Sequence, residues 1–257
     1  MAASTSSAPV FQIRDLSKSY GTKTVLEGVS LDILQGECLV VLGRSGTGKS
    51  VLLRQLNGLE KPDAGSVAFH GEDIVNLNER QLAPIRRRIA MLFQGGALFD
   101  SLTVGENVAF PLTEHTDLSP EEIRRRAVHK LGLVGLTGVE DTMPSALSGG
   151  MRKRAALARS LALDPEVILF DEPTTGLDPV TSASIARLIR TTQEQLKTTS
   201  VVVTHDLPMA REVGDRIGFL ADGHFLFLGT WAEAEESGGR RLSDFLAGRF
   251  EEEAEVA

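Results

Sequence analysis

The chain has 257 residues, 42% of them hydrophobic and 24% charged, with a formal net charge of −8. That length allows one large domain or a core with a subdomain, and the polarity is too high for a membrane-embedded chain. The acidic balance argues against broad electrostatic binding to nucleic acid, which needs clustered positive charge, and no run of about 18 consecutive apolar residues suits a bilayer span.

Met1 to Pro9 is rich in Ala, Ser and Thr and lacks the basic end and apolar segment of a secretory signal, so residues 1–9 are expected to be a disordered tail. From Phe11 to Leu42 the chain reads as strands. Val29-Ser30-Leu31-Asp32-Ile33 alternates apolar and polar residues, as a half-buried antiparallel strand should. Cys38-Leu39-Val40-Val41-Leu42 does not alternate, which predicts a central strand covered on both faces. Cys38 is the only cysteine, so an internal disulfide is impossible, and the residue is expected to be a buried small hydrophobe.

After Lys49 the spacing of Leu52, Leu53, Leu56 and Leu59 predicts a helix with one apolar face, closed by Gly58 and Pro62. Gly65 to Phe69 and Ile89 to Phe93 read as short strands, with Arg86-Arg87-Arg88 between them as a solvated basic segment. Residues 95–162 have a helical texture and are expected to form an inserted subdomain. Within it, Ser119 serves as a cap, Pro120 occupies the first turn, and Glu121 and Glu122 lie at the positive end of the dipole. Val167 to Phe170 and Val201 to Val203 are further buried strands. Between them Asp178-Pro179 caps a helix whose apolar face carries Ile185, Leu188, Ile189 and Leu196. Strands alternating with helices predict an α/β fold built on a mostly parallel sheet, with a core of residues 10–94 and 163–228. Residues 229–257 form a C-terminal extension, in which Trp231 packs the segment down and Glu251 to Ala257 is an acidic, disordered end.

Gly43-Arg44-Ser45-Gly46-Thr47-Gly48-Lys49-Ser50 fits G-x-x-x-x-G-K-[ST] between a buried strand and an amphipathic helix, the context a phosphate-binding loop requires. Its glycines let backbone N–H groups approach a triphosphate, and the helix start adds partial positive charge. Lys49 would sit between the β- and γ-phosphates, and Ser50 would ligate Mg²⁺. The pattern alone says only that a nucleotide binds. Two acids at a strand end, Asp171 and Glu172, or a lone histidine such as His205, would by themselves be structural features.

Leu147-Ser148-Gly149-Gly150-Met151 and Phe170-Asp171-Glu172 narrow the field. Together with the phosphate loop they resemble the ATP-binding cassette (ABC) ATPases, and the likeness covers nearly the whole chain. The resemblance implies the P-loop NTPase core with an antiparallel β-subdomain and an inserted helical subdomain. It implies that Asp171 orients the metal's water shell, Glu172 is the general base, and His205 holds Glu172 and the attacking water in line. Gln94 is implied as the glutamine that touches Mg²⁺ and links core to helical subdomain, and Tyr20 as the aromatic that stacks on adenine. Val51 departs from the family pattern, where a hydroxyl residue often follows the Mg²⁺ ligand. Ser148, Gly149 and Gly150 are implied to face away from their own phosphate loop and to touch ATP held by a second copy, with Asp178 as both helix cap and dimer contact.

Met151 in place of the usual glutamine, the run Gly95 to Val104 after Gln94, and Leu242 to Gly248 look like the ATPases of Mla-type phospholipid transport systems. That likeness implies a homodimer at the cytoplasmic face of the inner membrane, a permease partner and an MCE-domain lipid-binding protein, and leaves open a small regulatory subunit. Ala97, Leu98, Phe99 and Leu102 either form a groove for a permease helix or fill the subdomain's own core. An importer ATPase for a small polar solute, and a soluble ABC ATPase without a membrane partner, remain alternatives.

Overall fold

The computed structural model describes residues 8–237 and 239–249. Among these residues two sheets form. The first is four-stranded and antiparallel, in the order β2-β1-β4-β5, from β1 (Pro9–Tyr20), β2 (Lys23–Leu34), β4 (Ala64–Phe69) and β5 (Glu72–Asp73). The second is six-stranded, in the order β10-β9-β3-β8-β7-β6, from β3 (Cys38–Leu42), β6 (Ile89–Leu92), β7 (Val167–Asp171), β8 (Thr199–Thr204), β9 (Arg216–Ala221) and β10 (His224–Gly229). Its strands pair in parallel except β10, which runs antiparallel to β9.

The non-alternating strands lie at the centre of the second sheet because both of their faces are covered. In β3, Cys38, Val40 and Leu42 point into one core while Leu39 and Val41 point into the other. In β7 the same split puts Ile168 and Phe170 on the first side and Val167 and Leu169 on the second. The second core lies beneath the antiparallel sheet and α1 (Lys49–Leu56). The first is covered by α3 (Val104–His115), α4 (Pro120–Leu133), α5 (Gly149–Ser160), α6 (Pro179–Leu196) and α7 (Leu207–Val213). Burying a Val, Leu or Phe side chain contributes about 1.5–3 kcal/mol, so doubly covered strands are the stiffest place from which to project functional loops. Cys38 is 1% exposed, and burial pushes its thiol above the ordinary value, with Asp215 adding to the effect.

Several expectations need correction. The disordered tail does not extend to Pro9, which is the first residue of β1, and Ala8 accepts a hydrogen bond from the Gln35 N–H at 3.2 Å. A proline fits there because a strand's first residue need not donate to the ladder. Residues 1–7 and the acidic stretch 251–257 lie outside the described residues. α1 stops at Leu56, before Gly58, and Leu59 falls beyond the helix at 49% exposure. Leu196, the last residue of α6, is also exposed, because the buried stripe of that helix runs through Ile185 and Ile189.

The arginine triplet is not simply solvated. It forms the last turn of α2 (Glu79–Arg88), whose Asn78 and Gln81 make a capping box. Arg86 donates to the Asn57 and Gly58 carbonyls, and Arg88 forks onto Glu166 at 2.5 and 2.9 Å. Trp231 begins α8 (Trp231–Ser237) and packs against the first core, with the Arg211 guanidinium 4.6 Å from its ring centroid. The chain then forms α9 (Gly239–Leu246), whose Leu242 and Phe245 are buried.

Candidate nucleotide site

β3 runs into the glycine-rich loop and α1 begins at Lys49, so the loop is pinned between a buried strand and a helix start. Gly48 is the N-cap of α1 at φ 98°, a left-handed conformation that side chains other than glycine rarely adopt. A Cβ there would also stand 2.8 Å from the Val25 carbonyl oxygen, backbone that cannot step aside.

A cavity of about 630 Å³ opens beside this loop, within the range of small-molecule sites. Arg44, Ser45, Gly46, Gly48, Lys49, Ser50 and Val51 line it together with Gln94, Glu172 and His205. Val25, Leu207, Phe245 and Gly248 complete the lining; no motif singled out Val25 or Leu207, and Phe245 and Gly248 belong to the Mla-like segment Leu242 to Gly248, for which no place at the cavity was expected. Thr47 lines an adjoining cavity of about 700 Å³ that shares Val25, Arg44, Ser45, Gly46 and Phe245 with the first. Gly43 contributes its carbonyl, which accepts from Lys49 Nζ at 2.8 Å, and the Arg44 carbonyl accepts from the same ammonium at 2.9 Å.

The charges are arranged around Lys49. Burial holds its ammonium below the ordinary lysine pKa, while Glu172 and Asp171 pull it back up. Glu172 Oε1 lies 3.6 Å away. Asp171, buried at the end of β7, accepts from Ser50 Oγ at 2.7 Å across a sequence separation of 121 residues.

Glu172 sits at φ 46°, a sparsely populated conformation costing about 1–3 kcal/mol that recurs at functional sites. Its N–H donates to the Val203 carbonyl at 3.0 Å, which keeps the strained residue in place. His205 Nδ1 lies 3.0 Å from Glu172 Oε2, a buried oxygen. A carboxylate that lines the cavity with an imidazole beside it suits a group that engages a water molecule. Thr174 Oγ1 donates to Asp206 Oδ2 at 2.9 Å, tying the segment after Glu172 to the one that carries His205. Asp206 in turn caps α7. This link was not foreseen, although Asp206-Leu207-Pro208 is a readable helix start.

Other expected residues are not brought to the cavity. Tyr20 is 45% exposed at the end of β1, donates its hydroxyl to Glu60 and lies outside the lining of both cavities. Ser148, Gly149 and Gly150, which the resemblance implied would face away from their own phosphate loop, also lie outside that lining. Ser148 is instead the N-cap of α5, its Oγ accepting from the Met151 N–H at 3.3 Å. Asp178 caps α6 through the N–H groups of Val180 and Thr181, both at 3.0 Å.

Gly150 packs against α6, where a Cβ would lie 2.7 Å from Thr181 Cγ2. Thr181 is not free to turn away, because its Oγ1 donates to Asp178 Oδ2 at 2.5 Å. Gly150→Ala is therefore expected to destabilise the fold by about 1–3 kcal/mol through overpacking. Thermal melts of the single variant and of Gly150→Ala with Thr181→Ser would check this, with the second substitution restoring most of the loss.

Among the described residues no group of three or more His, Cys, Asp or Glu side chains forms a ready-made metal cage. The donors that are present fit a hard cation bound jointly with phosphate: the Ser50 hydroxyl, the Asp171 carboxylate beside it and the Gln94 side chain.

A family model described as ABC transporter matches residues 26–175. The chain is 45% identical over 238 residues to the "Probable ribonucleotide transport ATP-binding protein mkl" of Mycobacterium leprae, covering 93% of this chain and 69% of that protein. It is 40% identical over 241 residues to the "Intermembrane phospholipid transport system ATP-binding protein MlaF" of Escherichia coli, covering 94% and 90%. Among solved structures, the dimeric post-hydrolysis state of the ATP-binding cassette MJ0796 bound to ADP and Pi superposes with a TM-score of 0.79 at 36% identity, over 86% of this chain and 98% of that one. The cbiO1 protein of Clostridium perfringens, part of the cbiONQ transporter, gives a TM-score of 0.82 at 29% identity over 89% and 91%. With this fold, this cavity and these relatives, the chain belongs to the ABC transporter family as one of its ATP-hydrolysing subunits.

Proposed function

We propose that two copies of this chain clamp two ATP molecules head to tail and drive a membrane permease that moves phospholipid between envelope membranes. The observation that carries the dimer is the incomplete cavity. One copy supplies the phosphate loop, Gln94, Glu172 and His205, while its Ser148-Gly149-Gly150 helix start lies outside the lining. A helix N-terminus is an anion site, and a second copy brings that end to the open side of the nucleotide.

In this reading Lys49 and the loop N–H groups hold the phosphates and Tyr20 stacks on the base. Ser50, Asp171 and Gln94 hold Mg²⁺, which supplies charge neutralisation at the phosphates. The Glu172 carboxylate accepts a proton from the attacking water, and His205 fixes that carboxylate's direction. Residues 10–94 and 163–228 act as the nucleotide-holding core, residues 95–162 as the subdomain bearing the signature, and residues 229–257 as a C-terminal extension.

No helix among the described residues is long and apolar enough to cross a membrane, so the transport path is assigned to a permease. The surface that suits one is aromatic. Phe99 and Phe110 are 44% and 39% exposed with ring centroids 5.0 Å apart, whereas Leu98 turns inward onto the core. The buried Asn107 holds that loop, accepting from the Phe99 N–H at 2.8 Å and donating to the Phe99, Leu102 and Thr103 carbonyls. An amphipathic helix laid into such a patch is a common recognition mode.

The phospholipid assignment rests on the Mla-like segments and on the MlaF relatives, which match over 90% of their own length. With it go peripheral attachment at the cytoplasmic face of the inner membrane and an MCE-domain protein as a further partner. The name of the mycobacterial relatives favours a second reading, ribonucleotide transport. Reconstitution of the chain with its permease in vesicles separates the two. ATP-dependent movement of a fluorescent phospholipid without uptake of labelled nucleoside monophosphate is expected, and the reverse result would replace the lipid reading.

A further inference from the structure

The loop that follows β6 lies flat against α5. Lys153 Nζ donates to the Gln94 carbonyl. Two turns along the same helix, Arg159 donates to the Ala97 carbonyl at 2.7 Å and to the Gly96 carbonyl at 3.1 Å. A Cβ on Gly96 would lie 3.3 Å from Ala156 Cβ, which shows how closely loop and helix approach. Both cations belong to the helix that Ser148, the signature serine, caps.

Lys153 is an unusual occupant of this place. It is buried, and its hydrogen-bond acceptor is a peptide carbonyl rather than a carboxylate. Burial lowers its proton affinity, with Asp171 opposing that through space. A buried ammonium without a carboxylate in contact is costly to keep, and if the position needed only bulk, a neutral side chain would fill it at lower cost. What a neutral aliphatic side chain cannot do is hold the Gln94 peptide in one orientation.

We propose that Lys153 is a positioning residue for ATP hydrolysis: its ammonium fixes the Gln94 peptide, and through it the direction in which the Gln94 side chain enters the nucleotide cavity. Arg159 holds the following turn of the loop in the same way, so a displacement of the signature helix displaces Gln94 with it. The guanidinium of Arg159 also lies 5.7 Å from the Phe99 ring centroid, which places the exposed aromatic patch on the same rigid unit. The inference rests on the reading of Gln94 as a group that organises the reacting water and cation.

The test compares Lys153→Met, which keeps the length and removes the donor, with Lys153→Arg, which keeps donor and charge. Gln94→Ala is run alongside in the full chain assembled with its permease. Rates are normalised to bound nucleotide, so that unfolded protein does not count as slow protein. Lys153→Met is expected to lower kcat about 10–100-fold, the scale of a small misplacement of a reacting group, with KM for ATP within about twofold. Lys153→Arg is expected to stay within about threefold of the original rate, and adding Lys153→Met to Gln94→Ala should change little further, as coupled positions do.

Equal rates for the Met and Arg variants, fast or slow, would overturn the proposal, because the donor would then be irrelevant. A slow Lys153→Met beside a full-rate Gln94→Ala would overturn the route through Gln94. A full-rate Lys153→Met beside a slow Gln94→Ala would overturn the clamp and leave the reading of Gln94 standing.

Discussion

Glu172→Gln is expected to leave ATP binding intact and to lower turnover about 10²–10⁴-fold, the usual worth of a positioned general base. The amide keeps the size of the carboxylate and its place at the end of β7, where the backbone N–H bond to Val203 does not depend on the side chain. It loses the carboxylate's ability to take a proton, while the position beside His205 is kept. A second consequence follows from the incomplete cavity. If hydrolysis is what releases the closed pair, the variant should accumulate as a dimer in Mg-ATP and stay monomeric without nucleotide. Phosphate release, equilibrium nucleotide binding and size-exclusion chromatography check the three parts. Hydrolysis at the original rate would show that another group activates the water.

Lys49→Ala is the complementary case, with the defect in binding rather than in chemistry. The ammonium donates to the Gly43 and Arg44 carbonyls and lies 3.6 Å from Glu172. A triphosphate offers it better acceptors. Hydrogen bonds to charged groups contribute about 1.5–3 kcal/mol, so the variant should bind ATP about 10–100-fold more weakly, read by titration calorimetry.

The lowered pKa of Lys49 adds a signed expectation. Because burial disfavours its charged form, the free protein should begin to lose ATP affinity on the alkaline side at a lower pH than an ordinary lysine would give. Lys49→Ala should lack that limb. Unaltered affinity in the variant would refute the cradle assignment.

Some features were missed because their signals are short. The α2 capping box, Asn78 with Gln81, was readable, yet Arg86-Arg87-Arg88 dominated the segment and concealed the helix it ends. The β9–β10 hairpin turns at Asp222-Gly223 with both residues at positive φ, the chemistry of a two-residue hairpin loop. The cavity residues Val25 and Leu207 had no motif to announce them, since an apolar side chain lining a site reads the same as one in a core.

By itself the sequence determined the chemistry that local rules govern. A non-alternating apolar run became a strand buried on both faces, and glycines before Lys49 became a loop open to phosphate. Serine before a glycine pair became a helix cap, and Asp171-Glu172 became acids at a strand end. Each depends on residues a few positions apart, where backbone sterics and side-chain periodicity act alone. Only the tertiary structure decided which of these meet. Ser50 reaches Asp171, Lys49 and His205 converge on Glu172, and Lys153 reaches the Gln94 carbonyl because parallel strands covered on both faces bring their ends to one edge. Close packing of the two cores fixes that edge, and with it distances that no spacing along the chain contains.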